Sequence, residues 1–190
     1  MQRALFLAAF PPEIAGLDPS YERATVGVGL VEASLGAAAV IAERTPRHVV
    51  LIGTVGAYPS SGLEIGDVVT AERVVVASSS GAIVDAMPSS TAATPITNAR
   101  RVVVATTLSI TTEDDVAILL EKSTAAHVEH LEAFAVARAC ERAGVKFSAV
   151  FGVANIVGSH GRDQWREHHE RAAAAACALF RSPTTTPSPA

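Results

Sequence analysis

The sequence predicts an α/β fold, a three-layer sandwich in which helices flank a central sheet. Several short runs are apolar after their first residue, for example 3–9 and 48–52, and such runs are typical of strands that are covered on both faces. Segments rich in alanine, leucine and isoleucine, such as 31–44, favour helix. Because strands and helices alternate along the chain, we expect helices to pack on both faces of the sheet.

The boundaries of the predicted elements follow from local sequence signals. Pro11 and Pro12 end the first strand, and Thr111 or Thr112 caps a helix whose first turn is acidic. Gly144 ends another helix. Strands are predicted at 3–9, 24–28, 48–52, 67–77, 102–106 and 146–153, and helices at 31–44, 113–121, 129–143 and 163–181.

The chain has enough apolar material for one ordinary globular core. Of its 190 residues, 49% are hydrophobic and 18% are charged, and a single core normally needs about 100 to 200 residues. We expect one domain over 1–181, followed by a disordered tail at 182–190. The stretch 78–99 is small, polar and proline-containing without a period. It predicts a long loop, which is the best candidate for a mobile or intersubunit segment.

Charge and cysteine content exclude several classes of protein. A net charge of -4 and a pI near 5.8 leave no broad basic surface for nucleic acid or an anionic membrane. The apolar runs are far shorter than the roughly 20 residues that cross a bilayer. Cys140 and Cys177 fall in predicted helices without metal-ligand spacing, which suits a reducing compartment. We therefore expect a cytoplasmic protein with no nucleic-acid partner and no membrane partner.

Common cofactor and catalytic motifs are incomplete or missing. The segment GVGLVE at 27–32 resembles part of a dinucleotide fingerprint, but Glu32 stands where the third glycine belongs and would repel a pyrophosphate. The sequence contains no P-loop and no G-x-S-x-G nucleophile elbow. His127 and His130 could share a helix face as a metal pair, yet no third ligand has a plausible spacing. No metal site is therefore predicted.

Polar residues collect where the predicted strands end. Ligands bind at the carboxyl ends of strands in α/β sheets. The residues at such ends include Glu13, Thr54, Gly56 and Asn155. Glu132 lies in an otherwise apolar helical stretch, where a buried carboxylate needs partners or a ligand. A salt bridge from Glu132 to Arg138 or Arg142 is the structural alternative, which helical geometry does not favour.

Four stretches carry a family resemblance when they are taken in order: AAFPPEI, TVGVGLVEASLGAAAVIAE, LIGTVGAYPSSGLEIGDVVTAERVV and VEHLEAFAVARACERAGVKF. Together they resemble the superfamily of purine nucleoside phosphorylases and methylthioadenosine/adenosylhomocysteine nucleosidases. Within it, VEHLE and GVANIVGSHGRDQW are most similar to the futalosine hydrolase family. The resemblance implies a nucleoside phosphorylase-like fold with a central mixed sheet, no cofactor, and a homo-oligomer that is a dimer or higher. It also implies a purine nucleoside as the small-molecule partner.

The same resemblance implies roles for individual residues in hydrolysis of an N-glycosidic bond, that of futalosine in menaquinone biosynthesis. Glu13 would activate the attacking water as a general base, and Glu132 would bind the ribose and stabilise its cationic form. Asn155, whose adenine-specific counterparts are Asp, would donate its amide N–H to O6 or N7 of hypoxanthine. The remaining substrate contacts are expected from Thr54, Gly56, His130, Leu131 and Phe151.

The nucleophile and the substrate admit alternatives. Similar phosphorylases place an arginine that holds phosphate where this chain has Leu51, which favours water as the nucleophile. The exact substrate stays open because several positions depart from the family pattern, namely His130, Leu131, Phe134, Phe151 and Ala154. The alternatives are an adenine-directed nucleosidase, a purine nucleoside phosphorylase, and a nucleoside-binding protein of the same fold without turnover.

Overall fold

The protein is described by a computed structural model over residues 4–78, 90–96 and 98–181. Its strands are β1 (Ala4–Ala8), β2 (Arg23–Thr25), β3 (His48–Ala57), β4 (Val68–Val76), β5 (Ser90–Ala92), β6 (Arg100–Thr106), β7 (Val128–Glu129) and β8 (Lys146–Ile156). Its helices are a 3-10 helix (Pro11–Ile14), α1 (Leu30–Arg44), α2 (Asp114–Thr124), α3 (Ala133–Arg142) and α4 (Gly161–Ala178).

The described strands form one mixed sheet. β2, β1, β3 and β8 run parallel to one another, whereas β4 is antiparallel to β8 and β7 is antiparallel to β3. β6 is parallel to both β4 and β7. The pairings of β3, β8, β4, β6 and β7 therefore close a ring, and β2 and β1 extend it at one side.

Helices cover both faces of the sheet because its strands are apolar on both sides. In β1, Leu5 and Leu7 belong to the core shared with α1 and α3, whereas Phe6 belongs to the core shared with α4. This division follows from the alternation of side chains along a strand. The prediction of an α/β fold with a mixed sheet between helices is confirmed.

Some predicted boundaries are wrong. The third helix begins at Ala133 rather than at residue 129, because the backbone before it is satisfied by neighbouring strands. His127 N–H donates to the Val103 carbonyl, and His130 N–H donates to the Ala105 carbonyl. β3 and β8 continue to Ala57 and Ile156, beyond the predicted ends at 52 and 153, since they pair with each other along their whole length.

The predicted loop at 78–99 contains the short strand β5, which pairs with β4. Of the other residues of that predicted loop, 79–89 and 97 lie outside the described part of the chain, as does the predicted tail at 182–190. Within the described ranges, no helix is both long and apolar enough to cross a membrane.

Candidate active site

Glu13 fills an interruption in the strand pairing of β3. β1 pairs with β3 as far as Leu51, and β7 pairs with β3 only from Gly56 onward. Between these segments, Glu13 Oε1 accepts hydrogen bonds from Thr54 N–H at 2.9 Å and from Thr54 Oγ1 at 3.0 Å. Its Oε2 accepts from Ala9 N–H at 3.2 Å. The carboxylate thus takes the place of a neighbouring strand at this point.

Burial dominates the acidity of Glu13. The side chain sits in the 3-10 helix after β1, and the residue is 3% exposed. Desolvation raises the pKa of Glu13 to about 7, with the hydrogen bond from Thr54 N–H opposing it and the nearby charge of Glu132 adding to it. A carboxyl group with a pKa near 7 can both hold and release a proton at neutral pH.

A β-bulge turns Asn155 towards the same place. Val55 is opposite Val153 and Gly56 is opposite Asn155, so Ala154 has no partner in β3. Bulges of this kind commonly redirect a side chain beside an active site. Gly56 leaves room for this amide, because a Cβ atom there would lie 2.8 Å from Asn155 Nδ2 and from Val157 Cγ2 and would displace them. One Nδ2–H donates weakly to the Ile156 carbonyl at 3.2 Å, leaving the second hydrogen of the amide.

Glu132 reaches the cavity from the start of α3. Its Oε1 accepts a hydrogen bond of 2.6 Å from the backbone N–H of Gly29, the residue before α1. Gly29 has φ +85°, a conformation that favours glycine. The backbone N–H that a dinucleotide phosphate would need is therefore already bound to a carboxylate. Arg138, the predicted alternative partner of Glu132, instead pairs with Glu141.

His130 caps α3 in its neutral form. Its Nδ1 accepts hydrogen bonds from the backbone N–H groups of Glu132 at 3.0 Å and Ala133 at 3.1 Å. Helices leave such N–H groups without an internal partner. Burial lowers the pKa of His130, against the opposing effect of the Glu132 carboxylate. The 3.1 Å contact between Nδ1 and Glu132 Oε2 is therefore not an ion pair, since Nδ1 carries no proton.

Glu129 is a second buried carboxylate on the cavity wall, and its oxygens are already bound. Oε1 accepts from Thr111 N–H at 3.0 Å, and Oε2 accepts from Thr111 Oγ1 at 2.6 Å and Tyr58 Oη at 3.2 Å. Burial raises the pKa of Glu129. These bonds attach the segment between β6 and α2 to β7. Glu129 thus fixes the cavity wall, whereas Glu132 has fewer protein donors to satisfy it.

These groups surround one cavity of about 480 Å³, a volume typical of small-molecule sites. Seven of the eight predicted site residues line it: Glu13, Thr54, Gly56, His130, Leu131, Glu132 and Asn155. Phe151 does not line it. Its side chain is fully buried behind His130, with ring centroids 4.5 Å apart. The structure therefore does not bring Phe151 to the cavity wall as the sequence predicted, because another side chain separates it from the cavity.

Sequence reasoning gave no site role to three other residues that line the cavity, namely Glu129, Arg162 and Trp165. Glu129 was expected on a helix, and only the antiparallel pairing of β7 with β3 brings it to the wall. Arg162 and Trp165 belong to the family-like stretch GVANIVGSHGRDQW, but their place on the cavity wall depends on where α4 begins. His127 and His130 flank β7 instead of sharing a helix face, and the described residues contain no cluster of three or more metal-binding side chains.

The chain is thus an α/β protein whose cavity gathers carboxylate and carboxamide groups near the ends of β3 and β8. The sequence model that describes the phosphorylase superfamily matches residues 23–182. The chain belongs to this superfamily. A comparison with curated protein sequences finds no significant match.

Solved structures of nucleosidases share the fold. A methylthioadenosine/adenosylhomocysteine nucleosidase from Colwellia psychrerythraea, in complex with adenine, superposes with a TM-score of 0.80 at 18% identity, covering 94% of this chain and 93% of that one. A futalosine hydrolase mutant of Helicobacter pylori gives 0.81 at 15% identity, covering 94% and 96%. The nucleosidase of Neisseria meningitidis with methylthio-immucillin-A gives 0.81 at 16%, again covering 94% and 96%.

The capping role of His130 predicts which substitutions the site tolerates. His130→Asn keeps a side-chain oxygen that can accept the same N–H groups, so we expect stability close to that of the parent. His130→Leu fills the buried position with an apolar side chain but removes the acceptor, and should lower the free energy of unfolding by about 1–3 kcal/mol. Urea denaturation of the three proteins measures this difference. Equal losses for both variants would show that ring packing on Phe151, rather than capping, is what matters.

Proposed function

We propose that this chain is a cofactor-free purine nucleosidase that uses water to cleave the bond between ribose and a 6-oxopurine. The observation that carries the proposal is the convergence of Glu13, Glu132 and Asn155 on one cavity, although they are far apart in sequence. Cleavage of an N-glycosidic bond creates a cationic sugar and an electron-rich leaving base. Such a reaction needs a base for water, a carboxylate for the sugar and donors for the leaving group.

Glu13 is the proposed general base. As the C1′–N9 bond breaks, its electron pair leaves with the purine, and the oxygen of water bonds to C1′. Glu13 takes the proton that water loses, and the purine is protonated from solvent. The carboxylate is held by Thr54 and Ala9, so it needs little reorganisation at the moment of reaction.

Glu132 is the proposed partner of the ribose. Its Oε1 is fixed by Gly29 N–H, and its remaining lone pairs are available to ribose hydroxyl groups at the cavity wall. Its negative charge also stabilises the oxocarbenium-like transition state. The charge of Glu132 also raises the pKa of Glu13, so the two carboxyl groups influence each other across one cavity.

Asn155 and Arg162 are the proposed contacts of the leaving base. Asn155 cannot act as a general acid, but its free Nδ2–H can donate to O6 or N7 of a 6-oxopurine. Arg162, at the start of α4, is the one arginine or lysine among the described lining residues. Its charge would stabilise the electron pair that the base carries away. A carboxamide and a guanidinium both donate hydrogen bonds, which favours an oxygen at position 6 over an amine.

Futalosine is the proposed natural substrate, giving hypoxanthine and dehypoxanthine futalosine in menaquinone biosynthesis. The similarity of VEHLE and GVANIVGSHGRDQW to futalosine hydrolases supports this choice, as does the shared fold with the Helicobacter pylori enzyme. An adenine-directed nucleosidase is the main alternative, since several structures of the same fold are methylthioadenosine/adenosylhomocysteine nucleosidases. Phosphorolysis is the alternative that the superfamily itself offers.

A release assay tests the proposed activity. The protein is incubated with futalosine, inosine or methylthioadenosine, with and without inorganic phosphate, and free base is measured by chromatography. We expect hypoxanthine from futalosine at a rate that phosphate does not change. Release that requires phosphate would establish a phosphorylase, adenine release alone would establish an adenine-directed enzyme, and ligand binding without release would establish a binding protein.

The proposed base predicts the pH dependence of the reaction. Glu13 must be ionised to accept a proton, so kcat/KM should fall about tenfold per pH unit below a pKa of about 7. Glu13→Gln should reduce kcat by about a hundredfold or more and abolish this acidic limb. An unchanged pH profile in Glu13→Gln would assign the limb, and the base, to another group.

The amide of Asn155 predicts leaving-group preference. Asn155→Asp replaces the NH2 donor with a second oxygen that can accept from an exocyclic amine, and a protonated carboxyl can give a proton to N7, so the ratio of adenine to hypoxanthine release should increase by about tenfold or more. Competition between inosine and adenosine in one reaction measures the ratio directly. Asn155→Ala serves as the control, because it should slow both substrates without reversing their order. No change in the ratio for Asn155→Asp would argue against contact between Asn155 and the base.

A further inference from the structure

Trp165 begins a directed chain of hydrogen bonds that ends at Glu13. Its Nε1–H donates to Thr54 Oγ1 at 3.1 Å, and that hydroxyl donates to Glu13 Oε1 at 3.0 Å. An indole N–H can only donate, whereas a threonine hydroxyl has one hydrogen and can also accept. While the Trp165 bond occupies a lone pair of the hydroxyl, the single hydrogen of Thr54 is free to point at the carboxylate.

The indole is held in place by its own helix and by the cavity wall. His169 stacks on it at a centroid distance of 4.2 Å and an interplanar angle of 18°. The His169 Nδ1 atom lies 3.0 Å from the Trp165 carbonyl oxygen. Gln164 attaches the same turn of α4 to β8, since its Oε1 accepts from Ile156 N–H at 2.9 Å. The Nε1–H group is thereby supported from several sides.

We propose that Trp165 is a positioning residue, which acts through the Thr54 hydroxyl to keep Glu13 oriented and ionised as the general base. This inference rests on the proposed nucleosidase function. It gives α4 a second role besides the proposed contact of Arg162 with the leaving base. The indole holds the hydroxyl in the orientation that donates to the carboxylate, and polarises it, so that its bond to Glu13 strengthens.

Among the groups around Glu13, the Thr54 hydroxyl is a hydrogen-bond donor that a side-chain substitution can remove. Glu132, from the start of α3, is the acidic group whose charge acts on Glu13. From α4, the Cys177 thiol contacts the Glu13 carbonyl at 3.5 Å, and burial raises the pKa of that thiol, which keeps it neutral. From Ala9, the residue after β1, and from Thr54 in β3, the carboxylate receives backbone N–H groups that side-chain substitutions leave in place. His169 lies against Trp165, whose ring it stacks on.

A double-mutant cycle tests the inference. Trp165→Phe removes the donor, and should move the acidic limb of kcat/KM to higher pH by about half a unit or more. Thr54→Val removes the hydroxyl and should move it at least as far. Because Trp165 acts through Thr54, the double variant should move it no further than Thr54→Val alone. Additive shifts, or a change in KM with the limb unmoved, would overturn the inference.

A second substitution separates the N–H group from the shape of the ring. The sequence contains one tryptophan, so biosynthetic replacement with benzothienylalanine changes Trp165 alone and keeps a bicyclic ring able to stack on His169. This analogue should reproduce the shift of Trp165→Phe while leaving the melting temperature near that of the parent. An unmoved acidic limb would assign the role of Trp165 to packing.

A titration without turnover keeps this inference separate from the proposed function. The side-chain carboxyl carbon of Glu13 can be followed by 13C NMR against pH in the parent, Trp165→Phe and benzothienylalanine proteins, with Glu13→Gln to assign the resonance. We expect the Glu13 titration to move to higher pH in both altered proteins. If the parent shows no nucleosidase activity but the Glu13 titration still moves in the altered proteins, the proposed function is refuted and the positioning role is not. If the titration does not move, the positioning role is refuted.

Discussion

The interruption in strand pairing along β3 is the constraint on which the site depends. β1 leaves β3 after Leu51, and β7 joins it only at Gly56. An unpaired backbone N–H in this buried region would cost free energy. Glu13 provides the acceptor for Thr54 N–H, so the same carboxylate completes the sheet and faces the cavity. One side chain therefore serves both the stability of the sheet and the proposed chemistry.

The acidic groups of the cavity differ in how completely the protein binds them. Glu129 is occupied by Thr111 and Tyr58 and connects two segments of the wall. Glu13 accepts three bonds, yet burial still keeps its pKa near 7. Glu132 is fixed at one oxygen by Gly29. Similar side chains are thus suited to different tasks by the partners that the fold provides: Glu129 holds a loop, whereas Glu13 and Glu132 keep the freedom that their proposed roles need.

The sequence was sufficient for the fold class and for most of the cavity wall. Apolar strands and alternating helices predicted the sandwich, and the family-like stretches led to Glu13, Glu132 and Asn155. The sequence could not reveal that residues 128–129 pair as a strand, because two residues have no period of their own and their partners in β3 and β6 are distant in sequence. Because a helical pattern follows them directly, the helix was predicted to begin at residue 129 instead of Ala133. Phe151 was misplaced for a related reason, since only packing places His130 in front of it.

The bulge at Ala154 and the contact of Trp165 with Thr54 likewise arise from tertiary structure. The central proposal is that water attacks the sugar, so the most direct measurement follows the oxygen atom in the proposed reaction. Futalosine is incubated with the protein in 18O-labelled water, and the released sugar is analysed by mass spectrometry. We expect hypoxanthine and a sugar that carries 18O on its anomeric carbon, whether or not phosphate is present. An unlabelled sugar 1-phosphate, or no release of base, would contradict this proposal.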